Sequence, residues 1–163
     1  MNAKFWAPFA IGVTKGESFM ISEEFKKIIE QEADRIREVN PMLVGARRGE
    51  IQVEQMRKYL MNLMFFFRHT PIHLEKARTV AQQRGLEKLA LFFDEKINEE
   101  KNHDLWAKSD LKAFGVDGGE VDLRQLTPGM FELLALAKRL IDEDPAYFVP
   151  YMLFMEYWTV IDG

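Results

Sequence analysis

Apolar residues along this chain recur at three- and four-residue intervals, and no stretch alternates as a strand would. Ser22 is placed to cap a helix that runs to about Val39, where Asn40-Pro41 ends it. A loop with Gly45 and Gly49 then leads to a second helix from about Ile51 to His69. Thr70-Pro71, a cap followed by proline at the first helical position, predicts a third helix ending near Gly85. The fourth and longest is expected from Leu86 to Phe114, stopped by Gly115. Thr127-Pro128 starts a fifth helix to about Asp142, and Asp144-Pro145 a sixth that reaches the chain end. The pattern therefore predicts one all-α domain over residues 21–163, preceded by an extension over 1–20.

Composition narrows the class. At 163 residues, with 47% hydrophobic and 29% charged residues, the chain has the make-up of one ordinary globular domain. A net charge of −4 with interspersed signs offers no basic patch, which argues against a nucleic-acid partner. The absence of cysteine excludes disulfides, thiolate metal sites and thiol nucleophiles, and fits a cytoplasmic protein. The N-terminal run MNAKFWAPFAIGV contains a proline and lacks a small-x-small cleavage site, so it makes a poor signal peptide. The longest nearly uncharged run, Pro145 to Ile161, is interrupted by Pro150 and Glu156 and is too short to span a bilayer. No membrane association is expected.

Three features carry candidate chemistry. On the fourth helix, Leu86, Leu89, Ala90, Phe93 and Ile97 form a stripe that continues through Glu100, Asp104, Ala107 and Leu111, with His103 at its edge. Glu99 falls on the other side. Glu100 and His103 thus have the Glu-x-x-His spacing that aims an oxygen and a nitrogen at one inward metal ion. On spacing alone a solvated charged face is the better reading, because charges are rarely buried. Glu156 shifts that balance. It is the one carboxylate in PAYFVPYMLFMEYWTVI, and a buried carboxylate requires a metal, a cation or a proton. Its bland alternative is an outward position or an arginine partner. His69 and His73 have i, i+4 spacing, but the expected helix junction at Thr70-Pro71 separates them, so both are left outside the site. Asn62 within YLMNLMFFF is read as a satisfied structural amide. No phosphate loop, dinucleotide fingerprint or serine–histidine arrangement is present, and catalytic residues beyond the candidate ligands stay unassigned.

Taken in order, FFFRHTP, EEKNHDLWAKSDLKAFG and FMEYWTVIDG resemble the heme-oxygenase-like helical proteins, in particular the non-heme di-iron oxidase branch often labelled iron-containing redox enzymes. That superfamily also holds thiaminase II and pyrroloquinoline-quinone synthase. The resemblance spans about Glu23 to the C-terminus and implies a heme-oxygenase-like bundle. By position it implies Glu100, His103 and Glu156 as metal ligands, and a cofactor of two iron ions in the complete family site. Asp104 would orient His103 or be a surface acid. The implied activity is oxidation of a small organic substrate, such as a fatty acid, an amino acid or an amine, by O2 within the bundle. The family's further helix with His-x3-Asp-x2-His is not found before Gly163, so the bundle is expected to lack its C-terminal helices, and a fragment is the preferred explanation. The last helix would then keep an uncovered apolar face, which predicts a homodimer or swapped assembly. The alternative is a metal-free relative that binds a small molecule or a partner. A ferritin-like carboxylate bundle ranks lower, since it needs two Glu-x-x-His helices.

Overall fold

Asn40-Pro41 marks both an end and a beginning. The computed structural model describes residues 11–13, 17–19, 23–117 and 121–162. Its first helix, α1 (Glu23–Val39), buries Ile29 and Ala33, four residues apart, with Phe25 one turn earlier packed on the same cluster. The expected cap at Ser22 lies outside the described residues. Where a loop was expected, α2 (Pro41–Arg48) forms. The Asn40 side chain accepts from the backbone N–H groups of Met42 at 2.9 Å and Leu43 at 3.4 Å, and Pro41 takes the first helical position. Proline lacks the donor that would otherwise be orphaned there, so the motif that stops one helix also starts the next. A short antiparallel pair, β1 (Ile11–Val13) with β2 (Glu17–Phe19), also departs from the expectation of no strands.

The central element, α3 (Val53–Gln83), is a single 31-residue helix. It corrects the predicted break at Thr70-Pro71. Proline removes the hydrogen bond to the carbonyl of Phe67, one turn back. The turn is shored up by side chains that bond back to preceding carbonyls: His69 Nδ1 lies 2.8 Å from Phe65 O, and Thr70 Oγ1 donates to Phe66 O at 3.2 Å. Burial of Met64, Leu74, Ala77 and Ala81 on either side keeps the helix packed along its length, which outweighs the local cap signal. Gly85 then stops the chain in the left-handed conformation, at φ +69°, as its position after the periodic run predicts.

The reverse correction applies to the predicted Leu86–Phe114 helix. It is two helices, α4 (Glu87–Glu99) and α5 (His103–Ala113). Asn102 separates them with φ 71°, a conformation that asparagine tolerates better than most residues. Without glycine or proline at this point, the periodicity hides the break. Beyond it, α6 (Pro128–Glu143) follows the Thr127-Pro128 signal, and α7 (Phe148–Asp162) follows a single turn at Pro145–Tyr147 capped by Asp144. No described helix is long and apolar enough to cross a membrane.

Two hydrophobic clusters share α3 as their spine. Its C-terminal half, through Leu74, Ala77 and Ala81, packs with α1, α4, α6 and α7 around Phe93, Ile141 and Phe148. Its N-terminal half, through Leu60, Met61 and Met64, packs with Ala107 and Leu111 of α5 and with Leu126. Arginines lock the ends: Arg57 donates to Phe114 O at 2.9 and 2.7 Å, closing α5, and Arg84 donates to Glu143 O and Asp142 O at the end of α6. Between Phe148 and Tyr157, every position of α7 except Pro150 is buried or half-buried, so the uncovered apolar face expected for the last helix is not found among these residues.

Asn62 is structural, as read from the sequence. Its amide donates to Lys58 O at 2.7 Å and Gln125 O at 3.2 Å, and its oxygen accepts from Thr127 N at 2.9 Å and Thr127 Oγ1 at 3.1 Å. It thereby ties the start of α6 to α3. Asn62→Ala leaves Gln125 O and Thr127 N without these partners and is expected to cost about 2 kcal/mol, as for orphaned buried polar groups. A urea midpoint unchanged from wild type would show that these bonds carry no stability.

Candidate functional site

The polar groups collect at the waist between the two hydrophobic clusters, where α4 gives way to α5. Lys96 is the residue that sequence reasoning missed. Its side chain is only 7% exposed, yet it lies on the same stripe as Phe92, Phe93 and Ile97. That position was the available signal: three residues after Phe93 and four after Phe92, it belongs to the inward face. Lys96 Nζ contacts Glu99 Oε2 at 2.6 Å and Glu156 Oε1 at 3.2 Å, and stands 5.9 Å from the centroid of the Phe92 ring. Burial alone would lower its proton affinity, but the hydrogen bond to Glu99 and the charge of Glu156 outweigh it, so the ammonium is held above the usual lysine range.

Glu156 is therefore inward, as its sequence context implies, and its counter-charge in this structure is a lysine. Burial raises its carboxyl above the usual glutamate value; Lys96 pulls it back, while Glu100 and Glu99 push it up. The influence of Glu100 places the two acids in one electrostatic neighbourhood, although 56 positions separate them in sequence.

Glu100 and His103 meet across the break, not along a continuous helix. Glu100 is the last residue before the turn and His103 opens α5. His103 Nδ1 lies 2.8 Å from Glu100 Oε2, with side-chain exposures of 23% and 13%. A carboxylate only accepts, so Nδ1 carries the proton when Glu100 is ionised. The imidazole stacks on Trp106 at 4.4 Å and meets the edge of Phe67 at 5.8 Å. Asp104 does not orient His103 by any described contact; it pairs with Arg68 of α3 at 3.3 Å. Glu99 is outward, as its phase predicts, but bends back to Lys96.

Glu100 and His103 offer one oxygen and one nitrogen, donor types that suit iron. Their 2.8 Å separation is a hydrogen bond in which Nδ1 aims its proton at Oε2, so an ion would have to displace that proton to be held by both. Glu156, engaged by an ammonium, is not gathered with them: no group of three or more potential ligands converges among the described residues.

His69 and His73 also require correction. The junction expected between them is absent, and both lie on the unbroken α3. Burial, then the charges of His69 and Lys76, hold His73 below the usual imidazole range. Comparison of the chain with protein-family models, with curated proteins and with solved structures gave no match.

Two predictions follow from the lysine clamp. Lys96→Met takes the ammonium away from the Glu156 carboxylate and is expected to cost about 3 kcal/mol, the low end for breaking a buried ion pair, with much of it recovered in Lys96→Met/Glu156→Met. Additive losses in the double variant would refute the coupling. Glu156 also binds its proton more tightly in the folded than in the unfolded chain. Its contribution to stability is complete below 4.5 and is lost as pH rises through its raised folded value. The stability of wild type relative to Glu156→Gln should fall across that window in urea titrations; a pH-independent difference would contradict the raised value.

Proposed function

We propose that the Glu100–His103 pair is part of an iron site in an O2-dependent oxidase acting on a small organic substrate. The observation that carries this reading is the 2.8 Å approach of one carboxylate oxygen and one imidazole nitrogen at a half-buried break between helices. The mixed oxygen and nitrogen donors suit iron or manganese. The motif resemblance to the heme-oxygenase-like di-iron oxidases supports the same assignment. Glu100 and His103 would hold the ion, and Glu156 would join them on release from Lys96. Bound iron would supply activation of O2. This chain's own residues would do the rest: Phe67 and Trp106 hold the imidazole plane, and Lys96 balances the inward carboxylates.

A second reading, a metal-free protein binding a small molecule or a partner in the same bundle, is favoured by two observations. The Lys96 ammonium already neutralises Glu156 at 3.2 Å. The Tyr151 hydroxyl, buried and without a hydrogen-bond partner among the described residues, is a polar group that a bound organic ligand would satisfy.

Iron content separates the two. Protein produced with supplied iron is expected to retain it, to lose most of it in Glu100→Ala and in His103→Ala, and to retain more in Lys96→Met, where the competing cation is gone. Iron-free wild type, or iron content indifferent to all three substitutions, would reject the oxidase reading and leave the metal-free one.

A further inference from the structure

The unbroken course of α3 brings together two imidazoles that its sequence appeared to separate. His69 and His73 stand one turn apart, about 40° round the helix and about 6 Å along it, so they share a face. Phe65 O lies 2.8 Å from His69 Nδ1. A carbonyl only accepts, so Nδ1 carries the proton and the lone pair sits on Nε2. The His69 ring is seated on Phe65 at 4.2 Å between centroids, and His73 stands edge-on to Phe148 at 6.3 Å. Among the described residues neither His69 Nε2 nor either nitrogen of His73 has a hydrogen-bond partner, and both residues are half-buried, open to solvent on one side. The neighbouring cation, Lys76, is engaged by Asp142 of α6.

We propose that His69 and His73 form a two-imidazole chelate for a divalent late transition-metal ion, such as Zn²⁺, separate from the Glu100–His103 pair. A backbone carbonyl on Nδ1 is the usual way a ligating histidine has its tautomer and ring plane fixed. Imidazole suits zinc, nickel and copper, and paired histidines at i, i+4 on one helix supply two adjacent ligands. Water completes the coordination. The chelate spans Pro71, so the ion cross-links the turn in which the hydrogen bond to Phe67 O is missing. Metal binding is therefore coupled to the stability of α3 at its weakest turn.

The test is calorimetric titration with Zn²⁺ of His103→Ala, His103→Ala/His69→Gln and His103→Ala/His73→Gln, with circular dichroism confirming an intact helix in each. His103→Ala should still bind Zn²⁺, and each added glutamine should cost about tenfold or more in affinity. Absence of Zn²⁺ binding by His103→Ala, or a smaller loss on adding either glutamine, would overturn the assignment. The His103→Ala background removes the other proposed metal pair and keeps this outcome independent of the iron reading.

Discussion

The contact on which the rest depends is the Lys96 ammonium between Glu99 and Glu156. An ammonium this deeply buried is costly unless its charge is met, and Lys96 meets two carboxylates, one from its own helix and one from α7. Helix α7 is so uniformly apolar that hydrophobicity alone gives it little preferred rotation. Glu156 fixes which side faces α4. The same contact sets the electrostatics of the waist, because a positive charge already sits where a metal would otherwise be the natural counter-ion for Glu156.

That waist exists because α4 and α5 are two helices. Asn102 turns the chain, Glu100 ends one helix and His103 begins the next, so the two side chains face each other at 2.8 Å. The hydrophobic stripe survives the turn: Ala90, Phe93 and Ile97 are buried before it, Ala107 and Leu111 after it, in different clusters. Arg68 and Asp104 close the same region from α3 and α5. Polar residues are thereby confined between two apolar cores, where each must find a partner of opposite character.

Much of this was legible in the residues. The all-helical class, the helix starts signalled by Thr127-Pro128 and Asp144-Pro145, the inward phase of Glu100 against the outward phase of Glu99, and the burial of Glu156 follow from periodicity and turn chemistry. The misreadings share a cause. Local signals were strong at Thr70-Pro71, where packing on both sides of the proline kept α3 whole, and weak at Asn102, where a left-handed residue without glycine broke a continuous stripe. Lys96 escapes the pattern because lysine is ordinarily solvated, although its phase matches Phe92 and Phe93. The partner of Glu156 depends on how α4 and α7 meet, which no single-helix pattern encodes.

Anomalous diffraction at the iron edge, from crystals soaked anaerobically with Fe²⁺, tests the central claim most directly. The account predicts an iron peak bonded by Glu100 and His103, with the direct contact between them replaced by the ion. Crystals that show no iron there, with His103 still bonded to Glu100 and Lys96 still on Glu156, would contradict it.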